Sequence, residues 1–373
     1  MRGFAVLALL GGISSVSARI SKVELLPHVN RRIQSIRGND LAARGEQPKT
    51  NLVRGPTKDD PANDPRFSVF SCGTTEFGTA SQDLIEAHKA LFHEHNSVSG
   101  TRLARLRARA LQARNEAIEI EVAIHIVTTK EKENSIAKDV PEKQLATLNK
   151  AYKDTGFSFK LLDTTWTAND AWAIGATEDD IMAMKKELRK GKYATLNLYF
   201  MSDLAGSILG VCSMPSEISD PKKPKKQADL SVYVDDGCTI NAGTLPGGSV
   251  YGYDQGMTAA HETGHWLGLF HVFEGYSCEG DGDLIADTAP QSVSTDGCPA
   301  AKDVQHSCPG KTWKESELVA LGATLPPGVK DGDAMVDNVH NVMDYSTDAC
   351  YTGFTPMQVQ RMKELWKLYR GDR

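Results

Sequence analysis

Residues 261–271 read His261-Glu262-Thr263-Gly264-His265-Trp266-Leu267-Gly268-Leu269-Phe270-His271. On a helix, positions i and i+4 lie one above the other, so His261 and His265 present their rings to one point. Glu262 stands about 100° round the helix, in reach of a water at that point but off the ligand axis. Gly268 can take a positive φ and end the helix, which lets His271 swing in as a third nitrogen ligand. Three neutral imidazoles leave the fourth position of a zinc ion open, the arrangement of a catalytic rather than a structural site. His-Glu-x-x-His alone is a modest signal. The eleven-residue form is expected by chance on the order of once in ten thousand such chains.

Working outward, Met257–Leu267 is predicted as the helix that carries the motif. Upstream, Ile118 to Val127 alternates apolar and polar residues as a strand does. Pro141–Thr155 is predicted as a helix with proline at its start, Phe157–Trp166 as a strand and Glu178–Leu188 as a helix. Leu196–Met201 and Leu230–Val234 are predicted as further strands. Downstream lies a long Gly- and Cys-rich irregular region, then a helix over Pro356–Tyr369 closed by Gly371. Strands alternating with helices predict an α/β (α+β) fold on a mixed twisted sheet. The irregular part, so poor in regular structure, needs disulfides or metals.

The N-terminus has a different character. Residues 1–18, MRGFAVLALLGGISSVSA, combine Arg2, a short apolar stretch and a small-residue cleavage site. That is a secretory signal peptide, too short for a membrane span, and no later stretch approaches 18 apolar residues. Seven cysteines then fit an oxidising compartment, and their odd number leaves one thiol another fate. No Asn-x-Ser/Thr sequon occurs. Residues 19–115 carry 16 Lys+Arg against 10 Asp+Glu, net +6, whereas residues 116–373 carry 25 against 38, net −13. A basic segment of this kind can settle on an acidic body. Its basic residues lack interleaved aromatics, so nucleic-acid binding is excluded.

Residues 81–115 are helical by pattern, with Leu84, Ile85, Ala87, His88, Leu91 and Phe92 on one apolar face and an interruption near Ser97–Gly100. A second stretch, Leu103–Leu111, lies among Arg102, Arg105, Arg107, Arg109 and Arg114. Two readings stand for it: an exposed processing region, or a solvated basic helix face. The domain reading is therefore a signal peptide at 1–18, a prosegment at 19–115 and a catalytic domain at 116–373.

The extended zinc motif marks a metzincin, and more of the chain agrees. Asn341-Val342-Met343-Asp344-Tyr345 resembles the metzincin Met-turn. The phrase HETGHWLGLFHVFEG, then Cys278, Gly282-Asp283, Asp287-Thr288-Ala289-Pro290, NVMDYSTDAC and FTPMQVQRM, resembles the pappalysin (cytophagalysin-like) family. The likeness is greatest to its fungal secreted metalloproteases. It spans about residues 118–373 and is specific over 250–365.

The resemblance implies a metzincin-type domain with the active-site helix in an upper half. A disulfide-stabilised lower half would end in a C-terminal helix. It implies Met343 packed beneath the metal, Tyr345 as a switchable group beside it, and disulfides Cys278–Cys308 and Cys298–Cys350. Cys212–Cys238 would be an additional bridge of this chain. Some members bind calcium beside the third histidine, which makes Glu274, Asp281, Asp283, Asp287 and Thr288 candidate oxygen ligands; the competing reading is a solvated acidic loop. Members can also be kept latent by a prosegment cysteine on the open zinc position. Cys72, left over from three bridges, is the candidate for that role, with a plain structural role or a disulfide as the alternative.

The function expected is secreted zinc-dependent endopeptidase action on protein or peptide substrates. One catalytic Zn2+, Glu262 as general base, Tyr345 on the oxyanion and the chain's own prosegment as inhibitor complete the reading. Neither nucleic acid nor membrane is an expected partner. The rival is a secreted zinc-binding module without activity; it has no use for a base at Glu262.

Overall fold

The computed structural model describes residues 72–74, 80, 82–96, 117–206, 208–216, 230–300, 303–320 and 323–371. The signal-peptide residues 1–18, most of the 19–115 segment and the Arg102–Arg114 stretch lie outside these described residues. A helix, α1 (Gln82–Asn96), precedes the strand β1 (Ile118–Thr128). Next come α2 (Val140–Ala151), β2 (Phe157–Ala168), α3 (Glu178–Leu188) and β3 (Leu196–Met201). The short strands β4 (Gly210–Cys212) and β5 (Cys238–Asn241) are followed by α4 (Met257–Trp266) and the C-terminal α5 (Pro356–Leu365). Trp366–Arg370 extends α5 as a π-turn.

The sheet runs in the order β2-β1-β3-β5-β4. Its first four strands are parallel, and β4 pairs antiparallel with β5 at the edge. Along β1 the residues Ile118, Ile120, Val122, Ile124 and Ile126 bury one face, where Leu148 of α2, Tyr152 just past its end, and Ala260 and Trp266 of α4 join the same core. Glu119 and Glu121 point to solvent, but Ala123, His125 and Val127 are buried. The alternation stops because Ile181, Met184 and Leu188 of α3 close over the far end of the second face, against Val127, Tyr199 and Met201. A sheet covered on both faces loses the polar half of its pattern.

Helix α4 is held at both ends. The Asp348 carboxylate accepts from the amides of Gln255 at 2.8 Å and Met257 at 3.3 Å, next to its N-terminus, where negative charge is favoured. The Tyr152 hydroxyl donates to Ala260 O at 2.9 Å. At the other end Trp266 Nε1 donates to the buried Asp236, which also receives Arg189 and Arg370. Arg370 Nε donates back to Trp266 O at 3.1 Å. Gly268 turns the chain with φ +99°, and a Cβ there would stand 2.4 Å from Leu365 Cδ1 of α5.

Past Gly268 the chain is mostly irregular up to α5. Ile285, Ala289, Trp313, Leu318, Ala323 and Met357 form a small separate core there. Disulfides Cys278–Cys308 and Cys298–Cys350 close loops with separations of 30 and 52 residues, and Cys212–Cys238 ties β4 to β5. Closing such loops restricts the unfolded chain, stabilising by about 2–4 kcal/mol each.

One expected strand is corrected. Leu230–Val234 lies in a short helix, Leu230–Asp235, and the strand is β5, which begins at Cys238. A five-residue apolar run fits either state, and here the choice follows from tertiary pairing. Cys238–Asn241 pairs with Leu198–Met201 of β3, and its cysteine bridges to β4.

Candidate metal centre

Helix α4 places His261 and His265 on one face, and the turn at Gly268 brings His271 to them. Their Nε2 atoms stand 3.1 Å (261 to 265), 3.0 Å (265 to 271) and 3.3 Å (261 to 271) apart. A tetrahedral zinc with bonds of about 2.0–2.1 Å wants its nitrogens about 3.3 Å apart, so the three rings fit the ion. The opposite ring nitrogens are engaged where that orients them. His261 Nδ1 lies 2.7 Å from Val342 O, and His265 Nδ1 lies 2.8 Å from Leu269 O. Donation to these carbonyls leaves the Nε2 lone pairs facing inward, the usual outer support of a ligating histidine. Burial holds all three imidazoles below their usual pKa, His261 at about 4, so they stay neutral and able to bind a metal.

Cys72 completes the group. One donor atom from each of Cys72, His261, His265 and His271 lies within 4.8 Å of the others, and all four residues are buried. Among the described residues Cys72 is the free cysteine. Its backbone forms a parallel bridge to Gly210, and Gly73 N donates to Gly210 O at 2.7 Å. The segment 72–74 thus lies along the edge strand β4.

Glu262 is fully buried beside this cluster. Its Oε1 accepts from the Cys72 thiol at 3.1 Å and its Oε2 from the Thr74 hydroxyl at 3.3 Å. Burial pushes its carboxyl up to about 8, and the two donors oppose that. Burial, then the Glu262 carboxylate, pushes the Cys72 thiol up as well. A divalent cation in the cluster acts in the opposite sense on both groups by direct attraction. A Cβ on Gly210 would lie 2.6 Å from Glu262 Oε1, so the bare backbone of β4 makes room for the carboxylate.

Met343 is fully buried, and a Cβ on Gly264 would lie 2.4 Å from its Sδ, so the sulfur packs directly on α4. The Tyr345 ring stands 5.0 Å from His271, 4.8 Å from Phe273 and 5.8 Å from His261. Its hydroxyl accepts from Cys72 N at 3.3 Å. Burial, with Cys72 close by, raises its pKa well above the phenol value, so it remains a hydrogen-bond donor at neutral pH.

The acidic residues after His271 make contacts of their own. Asp283 accepts from the Thr288 hydroxyl at 2.9 and 3.0 Å and from Ile285 N at 3.1 Å. Asp287 accepts from the Thr355 hydroxyl and from Met357 N, at the start of α5. Glu274 is buried and Asp281 exposed. Thr74 and Gly210 were not singled out from sequence. Cys72-Gly73-Thr74 carries a visible signal in its unpaired cysteine, but a three-residue edge strand with a glycine carries none.

The profile of the Peptidase M43 family, pregnancy-associated plasma protein-A, matches residues 177–367. An extracellular metalloprotease of Arthroderma benhamiae is 41% identical over 256 residues, covering 68% of this chain and 74% of the relative. One of Pyricularia oryzae is 37% identical over 308 residues, covering 82% and 91%. Mature mirolysin of Tannerella forsythia, solved with a cleaved peptide, is 25% identical with a TM-score of 0.47, over 67% of this chain and 92% of that one. With a cluster fit for zinc and relatives of this identity and extent, the chain belongs to the M43 family of zinc metalloproteases.

Proposed function

We propose that the chain is the secreted precursor of a zinc metalloendopeptidase, with a signal peptide at 1–18, a prosegment at 19–115 and the catalytic domain at 116–373. The observation that carries this reading is the convergence of three Nε2 atoms with Glu262 buried beside them. Names of relatives as extracellular metalloproteases support secretion and proteolysis.

His261, His265 and His271 hold the zinc, as their spacing and inward lone pairs allow. When bound, zinc supplies Lewis acidity that acidifies water and polarises a carbonyl. Glu262 takes the proton from the attacking water and returns it to the leaving amine. The Tyr345 hydroxyl, freed from Cys72 N, donates to the substrate oxygen as negative charge develops on it. Met343 supports the helix beneath the histidines.

Substrate lies in a cleft between an upper half, formed by the sheet and α4, and a lower, disulfide-held half that begins after Gly268. Its main chain takes the edge of β4 that residues 72–73 now occupy, which favours cleavage within a chain. In the precursor Cys72, the fourth member of the cluster, would join the histidines in holding the metal and keep water from it. Thr74 donates to Oε2 of Glu262, and the proton that the Cys72 thiol donates to Oε1 would pass to the carboxylate when the sulfur binds metal, so base and metal are blocked together. Asp283 and Asp287 accept from hydroxyl and amide donors, and calcium takes no part in this mechanism.

The test is Glu262→Gln in the processed enzyme. It removes the base and no ligand, so zinc stays near one per chain while chelator-sensitive casein hydrolysis falls at least ~100-fold. Near-normal hydrolysis by a folded, zinc-loaded variant would refute the mechanism. A zinc-binding module without activity predicts zinc uptake and no such hydrolysis in the unmutated protein.

A further inference from the structure

The segment that reaches the metal cluster touches the body at a second place. Helix α1 lies against α5. Its Leu84 is fully buried with Leu365 and Tyr369, and Ala80, Ala87, Leu91 and Met214 pack around them. His88, also fully buried, stacks on Phe270 with ring centroids 4.5 Å apart. It accepts from Arg361 Nη1, while Arg361 Nη2 donates to Leu284 O at 3.1 Å. Tyr369 donates to Asp83 O at 3.4 Å. None of these contacts involves the residues of the metal cluster.

Both anchors, Cys72 and α1, precede the arginine-rich stretch 102–114 in the chain. A cut in that stretch leaves them together on one fragment, with each contact to the body intact. We infer that the α5 face formed by Arg361, Leu365 and Tyr369, with Phe270, is a docking surface for α1. Through it the excised N-terminal fragment stays bound as a two-point inhibitor after cleavage. This rests on the reading of residues 19–115 as a prosegment.

Two linked contacts hold far more tightly than either alone, typically by about 10²–10⁴-fold. Cleavage within 102–114 is therefore not activation. Activity requires a further event that destroys or expels the fragment, such as a second cut between Thr74 and Gln82 or within α1.

The test uses the full chain, with a site-specific protease sequence placed at residues 105–110 and cut once. In otherwise unmutated protein the fragment is expected to co-elute with the body on size exclusion, and hydrolysis stays low. After the same cut, Leu84→Asp or the milder His88→Ala should weaken retention about 100-fold or more, so that the fragment elutes separately. Cys72→Ala should keep some fragment bound through α1 alone and lose the cobalt–thiolate absorption band of the metal-exchanged protein. Prompt dissociation of the unmutated fragment on cutting would overturn the docking surface, as would unchanged retention in both α1 variants. Neither outcome depends on hydrolysis. A body freed of the fragment yet inactive would instead count against the protease reading.

Discussion

The sulfur of Cys72 lies 3.1 Å from Oε1 of Glu262, across 190 residues of chain. The same sulfur lies with the three histidine nitrogens, and Thr74 reaches the other carboxylate oxygen. A short segment upstream of the first strand thus meets the metal ligands, the buried carboxylate and the edge of β4 at once.

Cys72→Ala in a precursor blocked from processing at 102–114 tests the thiol. The unmutated precursor should be latent and the variant should show chelator-sensitive peptide hydrolysis. Equal activity in the two, or a mapped disulfide from Cys72 to another cysteine, would remove the switch.

Tyr345→Phe, in processed enzyme, should lower kcat well beyond any change in KM, since the hydroxyl acts on charge that develops after binding. Loss of one such donor typically costs about 10²–10³-fold in kcat. An unchanged kcat would leave Tyr345 with a packing role against His271 and Phe273.

Gly210→Ala should leave zinc content near one per chain and reduce kcat. Its Cβ would come within 2.6–2.8 Å of Oε1, Cγ and Cδ of Glu262, and misplacement of a catalytic group by about 1 Å can cost ~100-fold. Zinc analysis beside steady-state kinetics decides it: retained metal with full kcat would show that the carboxylate has room to move.

Acid should loosen α1. Burial, then Arg361, holds His88 well below its ordinary pKa of 6.5, while Asp283 and Glu364 act on Arg361 from the body side. A histidine depressed in the folded state contributes stability that is present above the unfolded pKa and lost as pH falls below it. Each unit below about 6.5 costs up to ~1.4 kcal/mol until the folded pKa is reached. The protection factors of the α1 amides, with the intrinsic slowing of exchange toward acid divided out, should therefore fall between pH 7 and 5. His88→Gln should flatten that dependence; an unaltered profile in the variant would assign the effect to other groups.

Much of the site was legible because its information is local. The spacing of His261, Glu262, His265 and His271 is set by one helix and one glycine turn within eleven residues, so helical geometry alone brings the rings together. The alternation in Ile118–Val127 and the proline-led α2 were likewise readable, since burial period and capping are properties of short segments. Leu230–Val234 was not, because a brief apolar run satisfies a helix or a strand equally and only pairing with β3 selected Cys238–Asn241 instead. The meeting of Cys72, Thr74, Gly210 and Glu262, and that of His88 with Arg361, depend on sheet order and on how α1 and α5 pack. Such contacts join positions up to 273 residues apart. The chain's local patterns set which residues can bind metal; only the tertiary structure decided which distant residues reach them, because no local pattern encodes the register between separate elements.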